Sequence, residues 1–174
     1  MQHYLVPIHT TGTETDISCS VGTESAEEAG YVFVEAKDRL LNIGKWATYA
    51  GFEEIGFVLT DAKNNVVRRT ARRTDHIHIQ ANKGATDYDA YVIDALEYDD
   101  YPDYNRETFA LRLHPTGGDA ENDTATIVIE RRRDALMAIY HARNHAGNED
   151  MLWHGLPATA WSQLMQSLLT CEYV

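Results

Sequence analysis

The sequence predicts a single α+β domain over residues 1–174: a curved antiparallel sheet of six to seven strands wrapped on a long C-terminal helix, with an N-terminal helix pair. Three observations predict it. Trp161, Leu164, Met165, Leu168 and Leu169 recur at i, i+3, i+4, i+7 and i+8, the apolar stripe of a helix laid on a core. The long stretch before them is dominated by period-two alternation, the signature of strands with one buried face. A capped amphipathic segment near residue 25 precedes those strands. One helix after many strands is how an antiparallel sheet covers one of its faces.

Residues 1–15, with the run Thr10-Thr11-Gly12-Thr13, read as irregular. Asp16 to Val21 alternates Ile17, Cys19 and Val21 with polar residues, a short strand. Ser25-Ala26-Glu27-Glu28 is a capping box, in which a hydroxyl and a carboxylate three residues apart each satisfy an orphan amide. Ala29, Val32, Phe33, Ala36, Leu40 and Ile43 then mark a helical stripe, and a short helix around Lys45–Ala50 stops at Gly51. Ile55, Phe57 and Leu59 alternate, and Asp61-Ala62-Lys63-Asn64-Asn65 has hairpin chemistry, with Val66 to Arg69 returning. His76-Ile77-His78-Ile79 points its isoleucines inward. Ala90–Tyr98, Glu107–His114, Thr124–Arg131 and Ala135–His141 complete the strands, the last two joined tightly at Arg133-Asp134. Polar insertions at 81–90, 99–106 and 144–155 read as exposed loops, the third leading to Pro157 at the start of the helix 157–169.

A net charge of −12 disfavours broad nucleic-acid binding and docking on anionic lipid, since both surfaces would be repelled. Met1–Pro7 has neither the basic start nor the apolar stretch of a signal peptide, and no run of about 18 apolar residues exists to span a membrane. A cytoplasmic location is the expectation. Cys19 and Cys171 lack partners at metal-clip spacing and read as two reduced small side chains, with a bridge between them left open by spacing alone.

More locally, Leu41–Gly51, Gly56–Asp61, Thr124–Arg131 and Ala142-Arg143-Asn144 resemble a group of uncharacterised bacterial proteins with a START-like, helix-grip (SRPBCC-type) order of elements. The chain departs from that pattern at Thr74-Asp75, in place of a Gly-Asp pair, and at Asn82-Lys83-Gly84-Ala85, in place of a Gly/Pro-rich loop. The resemblance implies a sheet curved around the last helix, often with a cavity between them. It implies no particular activity, because the superfamily spans carriers, receptors, cyclases and hydrolases.

The leading functional expectation is a binding module for a small apolar ligand, held by Phe57, Phe109, Leu111, Ile127, Ile139, Trp161, Leu164, Met165 and Leu168. A second is an interaction or homodimerisation module without ligand, using a strand edge or the Tyr/Asp-rich loop with Tyr101 and Tyr104. A third is an enzyme. His76-x-His78 puts two imidazoles on one strand face, where they could share a metal, yet no carboxylate follows closely. His141, Arg143, Asn144 and His145 cluster at a strand end, suited to acid–base work on an anion, yet no nucleophile or paired carboxylate stands at a telling spacing. No cofactor and no metal are expected, and enzyme ranks last. The arginines of Arg68-Arg69, Arg72-Arg73 and Arg131-Arg132-Arg133 are expected to pair internally with the acidic stretch Asp87–Asp103. Asp99-Asp100-x-x-Asp103 has the oxygens of a calcium loop without its glycine turn.

Overall fold

A computed structural model describes residues 2–82, 89–119, 122–145 and 152–170. Strand β1 (Thr13–Gly22) leads into helix α1 (Ala26–Leu41), a 3-10 turn (Ile43–Lys45) and the short helix α2 (Trp46–Ala50). Six further strands follow: β2 (Gly56–Thr60), β3 (His76–Gln80), β4 (Asp89–Tyr101), β5 (Arg106–Pro115), β6 (Thr124–Arg132) and β7 (Ala135–His145). A two-residue pair, β8 (Leu152–Trp153) with β9 (Leu156–Pro157), delivers the chain to helix α3 (Ala158–Leu169). The seven strands form one antiparallel sheet in the order β1-β7-β6-β5-β4-β3-β2. With α3 packed on β1 and β7 and the helix pair beside it, this is the expected helix-grip arrangement.

Local chemistry accounts for the helices. Ser25 caps α1 by accepting from the Glu28 amide at 3.0 Å, while the Glu28 carboxylate reaches back to the Glu24 amide, one residue before the cap. Gly51 ends α2 at φ +74°, a conformation that suits glycine. The Trp46 indole donates to the carbonyls of Arg39 and Leu40 and meets Phe57 edge-on at 5.2 Å, which locks the helix pair onto β2.

Two expectations are corrected. Val66–Arg69 does not return along β2 beyond one bridge, Thr60 to Val66; β2 pairs with β3 instead. The reason is Asp75, whose buried carboxylate takes a two-pronged grip from Arg69 and the Arg72 amide, tying the connecting segment to the start of β3. The expected loop 99–106 shrinks to a 3-10 turn, Pro102–Tyr104, and Asn105, with strand on either side. Asp99, Asp100 and Tyr101 continue β4 opposite Thr108, Glu107 and Arg106, with the Arg106 guanidinium 4.8 Å above the Tyr101 ring. Of the expected loops at 81–90 and 144–155, residues 83–88 and 146–151 lie outside the described residues, as does Cys171.

The concave face and the helices share one core. Phe33, Leu40, Ile77, Ile79, Ile93, Leu111, Leu113, Ile127, Ile129 and Leu136 meet Trp161, Leu164, Met165 and Leu168 there. The other face is covered in part by the N-terminal segment, which is irregular yet pinned. Leu5 joins Ala95, Ala110 and Val128 in a second small core, and its carbonyl accepts from Arg112 and Thr126. The expected pairing with the acidic stretch is also corrected: Arg69 pairs with Asp75, Arg131 with Glu107 and Arg132 with Glu130, all outside it, while Asp94 of the stretch is taken by Arg112. No helix among the described residues is long and apolar enough to cross a membrane.

Candidate functional site

Two differently built places lie at the ends of α3, which at twelve residues is about 18 Å long. At its C-terminal end, β1, α1 and α3 diverge around a half-open groove of about 430 Å³. Cys19, Val21, Val32 and Leu169 supply its apolar surface. Ser20, Thr23, Glu28, Gln166 and Thr170 supply hydrogen-bonding groups. Burial raises the Cys19 thiol above its ordinary value, so it faces the groove as a small neutral group.

At the N-terminal end of α3 lies a buried polar network. Asp123, just before β6, places its Oδ1 2.6 Å from His145 Nδ1 and 3.2 Å from His154 Nε2. His154 Nε2 is also 3.2 Å from the Asp123 carbonyl, so it faces acceptors only and must carry the proton. Its Nδ1 is then an acceptor, and the Tyr140 hydroxyl donates to it at 2.5 Å. His145 faces acceptors on both sides, the Asp123 carboxylate and the Leu152 carbonyl at 2.9 Å, an arrangement that fits the imidazolium. The Tyr140 ring stacks on Trp161 at 4.5 Å, and the Trp161 indole donates to the Trp153 carbonyl.

The electrostatics follow from that geometry. Burial pushes the Asp123 carboxyl up, but the hydrogen bonds from His145 and His154 and the charge of His145 outweigh it and hold the group well below the usual carboxylate range. Burial alone would lower His145; its bonds to Asp123 and Leu152 overcome this and raise it. His154, wholly buried, is held below the usual histidine value by desolvation. Tyr140 and Tyr91 are both raised by burial, so the two phenols stay protonated.

The backbone explains how the network is separated from the outer face of β7. Regular alternation puts Leu136, Ala138, Tyr140 and Ala142 inside and Met137, Ile139, His141 and Arg143 outside. Asn144 breaks the alternation at φ +53°, and the β1 register shifts between Thr13 and Thr15 opposite it. His145 is thereby turned into the network, while His141 and Arg143 remain outside, both on the Asp16 carboxylate at 2.6 and 2.8 Å.

Of the residues expected to hold a ligand, Phe57, Phe109, Leu111, Ile127, Trp161, Leu164, Met165 and Leu168 come together in the core beneath α3. Ile139 does not. Because Ala138 and Tyr140 face inward, Ile139 faces outward, opposite Val128 and beside Met137 and His141. The His76 and His78 rings share a sheet face as expected, 6.4 Å apart, with His78 Nε2 3.0 Å from the Thr60 hydroxyl. No carboxylate joins them in a metal-capable group among the described residues; the one group there is Asp123, His145 and His154.

Asp123, Tyr140 and His154 were absent from the sequence expectations, and His145 was grouped with the wrong neighbours. A signal for Asp123 existed. Counting back from the tight Arg133-Asp134 turn, antiparallel pairing sets Asp123 opposite Asn144 and next to His145. His154 follows an insertion of irregular length, and no periodicity reaches it.

No protein-family profile matches the sequence, and no curated protein matches it. Solved structures do. The ginseng major latex-like protein 151 from Panax ginseng is 11% identical, with 90% of this chain and 93% of that one covered and a TM-score of 0.41. A hypothetical protein from Helicobacter pylori is 10% identical, with 89% and 86% covered and a TM-score of 0.49. The Zhui aromatase/cyclase from Streptomyces sp. R1128 is 12% identical, with 90% and 92% covered and a TM-score of 0.37.

Proposed function

We propose that this chain is a binding module for a small, mostly apolar molecule. The ligand sits in the groove between β1, α1 and α3, against Cys19, Val21, Val32 and Leu169, and its apolar end would extend toward Met165 and Leu168 beneath α3. The observation that carries the reading is the groove itself. Its volume of about 430 Å³ lies within the usual range for small-molecule sites, and it combines apolar walls with a few polar groups, as such sites do. Val21 is an exposed apolar side chain on the lip, which a ligand would cover. Membership in the bacterial group that the sequence resembles belongs to the same proposal.

The lining also limits the ligand. No Lys, Arg or His is among the described lining residues, Glu28 is, and the chain carries −12. A carboxylate or phosphate head would be repelled without compensation, so the head group is neutral or cationic. The test pairs a neutral and an anionic environment-sensitive dye with native mass spectrometry. The neutral dye is expected to bind at one site and to be lost in Val21→Trp, which fills the groove from an exposed position without entering the core. Equal uptake of both dyes by wild type and Val21→Trp, or no uptake together with an unliganded mass, refutes the reading.

A further inference from the structure

Asp123, His145 and His154 each present one ligand-capable atom, and those atoms lie within 4.8 Å of one another. An ion pair would explain that much. What an ion pair leaves unexplained is the far side of both rings. His145 Nε2 is held by the Leu152 carbonyl at 2.9 Å, and His154 Nδ1 by the Tyr140 hydroxyl at 2.5 Å. Each imidazole therefore has one nitrogen fixed by an oriented partner and the other aimed at Asp123. Metal-binding histidines are built in this way, with the outer nitrogen bonded to a carbonyl, carboxylate or hydroxyl that sets the ring's direction.

A second, independent observation is backbone strain. Seven non-glycine residues have positive φ among those described, and three of them are Asp123 (+52°), Asn144 (+53°) and His154 (+50°). Asp, Asn and His are the non-glycine residues that take this region most often, yet such residues remain uncommon, and three lie together here. Gly155 follows at +83°, with the position of an added Cβ only 2.9 Å from the Asp89 carboxylate. Strain gathered around one cluster of polar side chains is how chains hold functional groups in place.

We propose that Asp123, His145 and His154 bind one divalent transition-metal ion of the zinc class. Two imidazoles and a carboxylate suit such ions, whereas calcium and magnesium take oxygen shells. A tetrahedral ion at about 2.0–2.1 Å sets its ligand atoms about 3.3 Å apart. The Asp123–His154 separation is already 3.2 Å. The Asp123–His145 contact, 2.6 Å across a shared proton, opens by less than about 1 Å when the ion takes the proton's place. On binding, the His154 proton sits on Nδ1 and the Tyr140 oxygen accepts it. Side-chain exposure rises from 0% at His154 through 10% at His145 to 25% at Asp123, so the ion enters, and keeps its fourth position, on the Asp123 side.

The test uses the full chain after chelator treatment, titrated calorimetrically with Zn²⁺ and spectroscopically with Co²⁺. One ion per chain is expected, with affinity reduced tenfold or more in Asp123→Asn and in His145→Gln, and unchanged in His76→Ala/His78→Ala. Circular dichroism checks that each variant is folded. Should the ligand variants not fold, X-ray absorption of zinc-loaded wild type decides, with two imidazoles and a carboxylate expected in the shell. Absence of stoichiometric binding, a sulfur-containing shell, or loss of binding in the His76/His78 variant alone overturns the proposal. Val21→Trp should abolish dye binding and leave metal binding intact, so failure of one proposal is distinguishable from failure of the other.

Discussion

Tyr140→Phe removes one hydroxyl and almost no volume. Tyr140 is fully buried, its ring stacks on Trp161, and its hydroxyl donates to His154 Nδ1. Phe keeps the stacking, so the apolar contribution is nearly conserved. The change is confined to His154, whose Nδ1 is left without a donor inside a closed site, because its Nε2 proton is committed to Asp123. An orphaned buried acceptor costs about 1–3 kcal/mol. For a chain of 174 residues, a loss of about 2 kcal/mol lowers the melting temperature by about 4–8 °C. Urea denaturation of metal-free protein should show a lower midpoint with an unchanged slope, which assigns the effect to stability and not to compactness. A neutral or stabilising Tyr140→Phe would mean that the hydroxyl does not complete the His154 shell, and the proton assignment of the whole network would fall with it.

Leu164→Ala, at a fully buried position facing the sheet, should cost about 2–5 kcal/mol by urea denaturation. Asn144 combines positive φ with a side chain that accepts from the Thr10 and Thr11 amides and donates to the Ile8 carbonyl. Asn144→Gly keeps the backbone and loses the clamp, whereas Asn144→Ala loses both, so Ala should be less stable than Gly by about 1 kcal/mol. Gly12→Ala would set a Cβ 2.3 Å from the His145 carbonyl oxygen at φ +67°, and hydrogen exchange should show the start of β1 peeling from β7. Burial holds His3, His78 and His141 below the usual histidine value. The unfolded chain therefore takes up these protons first as pH falls through about 6.5, so stability is complete above that value and is lost below it. His141→Gln should flatten this loss in a pH series of urea midpoints.

The sheet and its helix were legible because both are written in period. The Trp161 stripe survives any loop uncertainty, since five apolar residues at helical spacing have one face to bury. Ile77 and Ile79 against His76 and His78 read correctly for the same reason. Period fails where the backbone changes phase. Ile139 was assigned to the interior by its apolar character, although its neighbours Ala138 and Tyr140 already held that face; a buried small residue and a buried phenol give weaker hydropathy signals than an isoleucine. The loop misread at Asp99–Tyr101 failed through composition, because acidic residues lengthen a strand when an arginine-bearing partner such as Arg106 lies opposite. Of the polar network only Asp123 was within reach, by counting back from the Arg133-Asp134 turn. The others come from β7 and the segment after it, and His145 joins them only because Asn144 inverts the alternation.

That inversion has a mechanical consequence for how the two ends of α3 divide their work. At the N-terminal end, the Trp161 indole is bonded to Trp153, its ring lies on Tyr140, and Tyr140 is bonded through His154 to Asp123. Moving this end breaks several buried polar contacts at once. At the C-terminal end, Arg39 donates to the carbonyls of Ser167 and Thr170, near the exposed rim of the groove. Such contacts exchange with water at little loss, as at most helix termini. On the proposed reading a ligand would enter beside Leu169, where the polar contacts of the helix end face water, while Leu168 keeps that turn in the core. The two proposals, a ligand at the groove and an ion at the network, thus concern opposite ends of one helix and share no residue, so each can be tested by itself.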